Sequence, residues 1–501
     1  MRDGVDYEPS RRIVVLGHHF ASIAGAGPIV GPVIAVAFGW IPALLWILLG
    51  GIFFGAVHDL ASMTASLRHK GKSIGEIIQR YIGDAGKRLF LIFSFSTLIL
   101  VIAVFADIIA KTFVSVPSSG SASMFFIFLA VAFGFITKRF NLPFWLSTVI
   151  GVALMYFLVF AGSRLPLEIG YGVWMVILFA YIFLASVAPV WVLLQPRDFL
   201  NSFLLYGMIL FGVLGIFVAR PEIRMDTDVA LHVEGLGYLF PVLFVTVACG
   251  AISGFHSLVA SGTTSKQIDR EEDARVIGYG GMLIESLLAV VALISVIVLL
   301  RDDYVSRLTE VGPVTLFSQG VGGFMAAIGI PYELGVSFVA LTVSAFALTT
   351  LDTCTRLARY IVQEYFEGSP QSAARVLAKN RYVATTVPVF LSVLLLTTGE
   401  FGTLWPIFGS ANQLLGALAL LAVSVWLIKK NVNPVFTLVP MVFMFAVTLS
   451  SLFLFAWNYF NQHVYILAVV ATFLFVLAIV LLRLAYRSLR VVDQQVTVQT
   501  S

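Results

Sequence analysis

Apolar runs of about 20 residues recur from one end of this chain to the other, and each is long enough to cross a bilayer as a helix. A β-barrel would instead show short alternating segments. Of 501 residues, 59% are hydrophobic and 12% charged, against about 25% charged in soluble domains. The sequence therefore predicts an all-α polytopic membrane protein with about 14 transmembrane helices. The expected spans are 13–38, 41–67, 88–114, 121–138, 143–163, 170–194, 198–219, 236–262, 276–300, 332–363, 380–397, 400–428, 434–457 and 464–487. No cleavable signal peptide is expected, because the apolar stretch after Arg11 and Arg12 runs on into a full span.

A further apolar segment, 312–330, is rich in glycine and ends at Pro331. Charge decides whether it crosses. If it does not, most of the 31 Lys and Arg fall on one side, as the positive-inside rule requires of the cytoplasmic face. That assignment puts both termini in the cytoplasm. It makes 312–330 a re-entrant or surface hairpin on the outer face and Ser73–Gly83 a short interfacial helix on the inner face. The net charge of +4 is small and its basic residues sit in loops, so no nucleic-acid partner is expected. Cys249 and Cys354 lack metal-ligand or redox spacing and read as small packing residues.

Two spans are interrupted at mid-membrane depth. Arg12–Trp40 carries Ala24-Gly25-Ala26-Gly27-Pro28, then Gly31-Pro32, with His18 and His19 just before the break. The eighth span breaks at Cys249–Gly254, with Ser253 in the break and His256 just beyond. Glycine weakens a helix and proline removes a donor. In lipid such backbone is tolerated only inside protein or beside a wet cavity. The two spans lie seven apart, so they run in opposite directions, and each is followed by a span and then a short surface element. That is the pattern of an inverted repeat with its transport site between two discontinuous helices. Kinked packing helices whose glycines admit close neighbours are the alternative. The repeats would occupy 12–219 and 236–457, with a C-terminal span and short tail at 458–501.

Half-helix N-termini suit an anionic group and freed carbonyls suit a cation. His18, His19 and His256 are candidates for binding a carboxylate or following a proton gradient, or else are satisfied interhelical hydrogen-bond partners. In the tenth span, Thr349, Thr350, Asp352 and Thr353 offer hard oxygen ligands, although Asp352 can equally pair with Arg356 at i+4. Glu285 has no basic residue within a turn and is a candidate proton carrier, or a carboxyl that only hydrogen-bonds. Asp59, beside His58, reads as closer to the inner surface with Arg68 as a boundary partner. Asp107 and Lys111 read as a plain helix pair, and Gln195-Pro196-Arg197-Asp198 as a proline turn between spans. Asn412 and Gln413 can line a path or bond across helices. There is no P-loop with its Lys-Ser/Thr, which argues against an ATP-driven pump.

Taken together, these residues resemble the carbon starvation protein A (CstA) family, which includes peptide and pyruvate transporters. The resemblance runs from GHHFASIAGAGPIVGP (Gly17–Pro32) through VHDLASMTASLRHKGKSIGE, LLQPRDFL, SGFHSLVASGTTSKQI, YGGMLIESLLA and LTTLDTCTRLARYIVQE to WPIFGSANQLL (Trp405–Leu415). It implies membership of the amino acid–polyamine–organocation superfamily and a LeuT-like core. It also implies that spans 1 and 8 are the unwound helices, 312–330 a gate element, and Thr349, Thr350 and Thr353 part of a sodium site shared with the first broken helix. Two spans, 170–194 and 198–219, are additional to a simple five-plus-five core. Asp352 departs from the neutral oxygens of many relatives and points to proton coupling.

The expectation is a non-enzymatic, cofactor-free secondary transporter in the cytoplasmic membrane. It would import a short peptide or a pyruvate-like small carboxylate with H+ or Na+. His18, His19, Gly25, Gly27, Ser253, Gly254 and His256 would form the substrate site. Glu285, Thr349, Thr350, Asp352, Thr353 and Asp59 would couple the ion. A nutrient sensor or a passive channel on the same scaffold are the alternatives.

Overall fold

The computed structural model describes residues 12–140, 144–188, 194–367, 371–397 and 401–499. In chain order the helices are α1 (Arg12–Ile23), α2 (Gly27–Ala35), α3 (Trp40–Arg68), α4 (Ile74–Tyr81), α5 (Asp84–Ser115), α6 (Pro117–Phe140) and α7 (Phe144–Arg164). Then come α8 (Tyr171–Val187), α9 (Leu194–Ala219), α10 (Leu239–Val247), α11 (Gly254–Gly262), α12 (Arg275–Ile297) and α13 (Arg301–Ala327). The last are α14 (Tyr332–Tyr365), α15 (Ser372–Lys379), α16 (Arg381–Leu396), α17 (Phe401–Lys429), α18 (Val435–Asn461) and α19 (Tyr465–Gln499). A two-residue hairpin, His232–Val233 against Gly237–Tyr238, is the only strand pair among the described residues.

Among the described residues, eleven helices are long and apolar enough to cross a membrane, or twelve if the bent pair α1–α2 is one span. Helices α8 and α16 fall where spans were expected but are shorter, at 17 and 16 residues. The segment expected not to cross is the second half of α13. Gly312, at φ 77°, turns the chain there, and Pro313 starts a new helical stretch that ends at Ala327. Its 15 residues would span only about 22 Å, short of a hydrocarbon core of about 30 Å.

The first broken span bends by 46° between its halves. Pro28 suits the first turn of α2, where its missing donor costs nothing. The second broken span passes from α10 through a 3-10 turn, Ala248–Gly250, to α11. The carbonyls freed at the end of α10 find side-chain donors: Gln413 Nε2 and Trp46 Nε1 reach Phe244 O at 2.8 and 3.1 Å, and Trp405 Nε1 reaches Thr246 O at 3.2 Å. Ser286 Oγ donates to Gly250 O at 3.2 Å. A break in lipid is thereby kept from leaving bare backbone acceptors.

The core is built around the second broken span, α14 and α17, whose apolar windows are 89%, 94% and 94% buried inside the protein. By contrast α7 is 28% buried and lies at the periphery. Helices α8 and α9, where two spans additional to a simple five-plus-five core were expected, are integral to the packing. Helix α8 contacts α5, α14 and α16, and α9 contacts α1, α13 and α14. Helix α4 is the short amphipathic helix expected at Ser73–Gly83. Ser73 Oγ accepts from Glu76 N at 3.3 Å, half of a capping box, and Ile74, Ile77 and Ile78 are buried.

Candidate functional site

The two interruptions lie against each other. A Cβ on Gly27 would sit 2.5 Å from Cys249 Sγ and 2.7 Å from Cys249 Cβ, so the start of α2 touches the break in the second span. Gly31, one turn on, faces the carbonyls of Thr246 and Val247. Gly25 packs against α14 and α5, where a Cβ would meet Thr350 Oγ1 at 2.8 Å and Phe105 Cε2 at 3.0 Å. Gly254 faces the Asn412 carbonyl and the Gly416 amide on α17. Four of the glycines that mark the breaks in the sequence are thus close-approach positions.

A buried ionic array runs beside this contact. Asp59 on α3 is bridged by two imidazoles, His58 Nδ1 to Oδ1 and His256 Nδ1 to Oδ2, each at 2.8 Å. The far nitrogen of His256 lies 3.3 Å from Glu285 Oε2 on α12. All four side chains are fully buried. His19 joins from α1: its Nδ1 pairs with Thr264 Oγ1 at 2.9 Å, and its Nε2 has no hydrogen-bond partner. Asp59 and His256 are among its charged neighbours. Neither Glu285 oxygen makes a hydrogen bond. Cys249 Sγ, a His256 nitrogen and a Glu285 oxygen converge to within 4.8 Å of one another.

A second buried cluster lies across α1. Arg197 on α9 donates to Asp352 Oδ2 and to the Tyr181 hydroxyl, and its other fork reaches Asp198 Oδ1 at 3.3 Å. Tyr181 on α8 donates to the same Asp352 oxygen at 2.9 Å. Asn201 Nδ2 donates to Thr349 Oγ1 at 3.0 Å. Half-buried His18 has Asp198 as its charged neighbour. The adjacent histidines of α1 therefore face different clusters, as neighbouring positions on a helix must. Thr350 Oγ1 and Asp352 Oδ1 are buried without partners, and half-buried Thr353 makes no hydrogen bond to either cluster among the described residues.

Several pairings differ from those expected along the chain. Asp352 pairs with Arg197, while Arg356 donates to the carbonyls of Ala185 and Ala188 at 2.7 and 2.9 Å. Arg68 leaves Asp59 to the histidines and binds Glu271 at 2.8 Å. Glu285 is isolated on its own helix but not in space. Residues Gln195–Asp198 are the first turn of α9 rather than a loop, which is how Arg197 comes to be buried. Asp107 and Lys111 do pair, at 2.9 Å. The expected exposure of the α11 N-terminus is reduced, because the Phe255 amide donates to Asn412 Oδ1 at 3.0 Å. Asn412 also donates to Ser253 Oγ at 3.0 Å, so it fixes the second break to α17. His58, Tyr181, Arg197, Asp198 and Asn201 were absent from the expected site. The available signal was the charge of Arg197 and Asp198 at the edge of an apolar run.

The family model for carbon starvation protein CstA matches residues 1–309 and 305–451. Peptide transporter CstA of Campylobacter jejuni is 33% identical over 519 residues, 89% of this chain and 73% of its own. Peptide transporter CstA of Escherichia coli K12 is 33% identical over 541 residues, covering 90% and 74%. The pyruvate/proton symporter BtsT of the same organism is 31% identical over 544 residues, covering 90% and 75%. Among solved structures, a manganese transporter of Eremococcus coleocola in complex with an aromatic bis-isothiourea compound aligns with a TM-score of 0.51 at 12% identity, over 97% of this chain and 99% of its own. MhsT in complex with L-phenylalanine aligns at 0.50 and 16% identity, over 94% and 99%. At such identities the likeness concerns the fold, which is LeuT-like. With the family model matched over most of its length, and curated relatives a third identical along nine-tenths of it, this multi-pass membrane chain belongs to the carbon starvation protein CstA family.

Proposed function

We propose that this chain is a proton-coupled secondary transporter that imports a short peptide or a pyruvate-like small carboxylate across the cytoplasmic membrane. The observation that carries the reading is the Asp59–His256–Glu285 array, fully buried where the two broken helices touch. Two carboxyl groups flank one imidazole there, with His19 and His58 adjacent and Cys249 against Glu285. A dry site cannot hold all of these as ions, so its proton count is tied to whatever charge enters. A substrate carboxylate resting at the positive end of α2, near Gly25, Gly27, Ser253 and Gly254, brings that charge. One proton taken up with the anion keeps the site neutral, which is the condition for symport. The relatives named as peptide transporters and as a pyruvate/proton symporter support the substrate classes and the ion.

In the same reading the chain crosses the membrane fourteen times, with both termini cytoplasmic, and 12–219 and 236–457 are inverted repeats. Helices α8 and α16 complete the count within the bundle. The cluster around Asp352 on α14, with Thr349 and with His18 of α1 beside it, responds to the break through Thr350, which lies against Gly25. Rocking of one helix group against the other then exposes the site to each side in turn.

Uptake of labelled pyruvate and of a labelled dipeptide into proteoliposomes, with proton and sodium gradients imposed separately, tests this. Accumulation driven by the proton gradient is expected for one of the two. Accumulation driven by sodium alone would reject the array as the coupling site. Ligand binding without accumulation of either would reject transport in favour of a sensor.

A further inference from the structure

Cys249 lacks ligand spacing along the chain, but its neighbours come from other elements. It sits in the 3-10 turn Ala248–Gly250 of the second break, directly after Ala248 at φ 46°, a backbone setting that is costly for any residue but glycine. His256 comes from α11 and Glu285 from α12. One ligand atom from each residue, the sulfur, a ring nitrogen and a carboxylate oxygen, lies within 4.8 Å of the other two. All three side chains are buried.

These atoms are held in place without being used. His256 Nδ1 donates to Asp59 Oδ2 at 2.8 Å, and His58 Nδ1 fixes the other oxygen of that carboxylate at 2.8 Å. An imidazole with its Nδ1 proton on a carboxylate keeps a lone pair on Nε2, which is how metal-binding histidines are oriented. That Nε2 has no hydrogen-bond partner, and neither has either oxygen of Glu285. The Ile23 carbonyl at the end of α1 also borders the ring, and it already accepts from Gly25 N at 2.8 Å. Nε2 and Glu285 Oε2 stand 3.3 Å apart. Two ligands on one tetrahedral zinc, each about 2.0–2.1 Å from it, are separated by about 3.3 Å. Asn412 Nδ2 donates to Cys249 Sγ at 3.5 Å, an outer partner for the sulfur as Asp59 is for the ring.

We propose that Cys249, His256 and Glu285 bind a divalent cation of the zinc class, with its fourth position open. Sulfur, nitrogen and oxygen together are a set that zinc takes, whereas magnesium and calcium take oxygen. On binding, the thiol proton passes to solvent. One thiolate and one carboxylate then balance the two charges of the ion, as a dry site requires. The ion ties the second break to α12 and occupies the atoms that hold the coupling proton in the proposed array. A block of transport by zinc rests on that array, whereas the binding itself does not.

The test is titration of the full chain, purified in detergent, with Co2+ as a spectroscopic stand-in for Zn2+. A thiolate-to-cobalt charge-transfer band is expected, lost on adding Zn2+ and unchanged by a large excess of Mg2+. C249S is expected to lose the band. C354S, which changes the other of the two cysteines, is expected to keep it. E285Q is expected to bind Co2+ about 100-fold more weakly, since losing even a group that only orients a ligand costs about 10–100-fold. Zn2+ is also expected to raise the unfolding temperature of wild type and C354S but not of C249S. A band absent from wild type, or one kept by C249S, would overturn the proposal. No gradient or substrate is present, so this result is separate from that of the uptake experiment.

Discussion

Gly27→Ala is the sharpest test of the contact between the two breaks. The added Cβ would lie 2.5 Å from Cys249 Sγ and 2.7 Å from Cys249 Cβ. Rotation of the Cys249 side chain can move the sulfur away. It cannot move the Cβ, so one of the two broken spans must shift. Overpacking of this kind costs about 1–3 kcal/mol. For a chain of 501 residues the entropy of unfolding scales to roughly 1 kcal/mol per degree, so G27A is expected to melt about 1–3 °C lower. Cys249→Gly removes both offending atoms. In the C249G background G27A is therefore expected to cost less than about 0.5 kcal/mol, leaving a favourable coupling energy close to the whole penalty. The assay is thermal unfolding of the four purified proteins in one detergent, read as a double-mutant cycle. Gradient-driven uptake by the same four should follow the same order, because the proposed substrate site lies at the contact that G27A disturbs. An equal cost of G27A in both backgrounds would show that the breaks do not touch, and the site built on their contact would go with it.

Two further outcomes follow from the ionic pairs. Arg197→Met leaves Asp352 and Asp198 buried without their cation and is expected to destabilise by about 3–5 kcal/mol, whereas R197M/D352L should recover a large part of that loss. Thermal unfolding checks both, and equal stability of R197M and wild type would refute the pairing. In the exposed segment after α9, hydrogen bonds from Arg301 hold the Asp226 carboxyl below its ordinary range, with the guanidinium charge adding to the effect. A lowered carboxyl stabilises the fold above its unfolded value of about 4 and loses that contribution as pH falls through the lower folded value. Amide-exchange protection over 224–230 is therefore expected to be constant from neutral pH to about 5 and to fall below about 4. R301Q should show the low protection already at neutral pH, and a wild-type profile in R301Q would contradict the clamp.

The sequence made the breaks readable because their cause is local. Glycine and proline act on the backbone at their own positions, so Ala24–Pro28 and Cys249–Gly254 announce a discontinuity without knowledge of any neighbour. Segment 312–330 stood out for another reason, since its crossing would invert the charge pattern of every later loop, and the structure gives it a helical stretch after Gly312 too short for a full span. Partners across helices were not legible. His256 and Asp59 are 197 positions apart and Arg197 and Asp352 are 155 apart. The i+4 rule proposed Arg356 for Asp352, but that rule describes an isolated helix face, and here the packing of α8 and α9 against α14 supplied a better donor. Arg197 was hidden by reading Pro196 as a turn, although proline is at home in the first turn of a helix. Asn412 lay in view as a polar residue of the twelfth span. Its role as the cap of α11 depends on how α17 packs against that break.

The coupling claim rests on Glu285 and His256, and one measurement separates coupling from binding. Glu285→Gln keeps the size of the side chain but removes its titratable proton. In proteoliposomes, E285Q is expected to exchange labelled for unlabelled substrate across the membrane at a rate near that of wild type. Under an inside-alkaline gradient it is expected to show no accumulation above equilibrium, while wild type accumulates. Gradient-driven accumulation by E285Q equal to wild type would contradict the assignment of the Asp59–His256–Glu285 array as the carrier of the coupling proton.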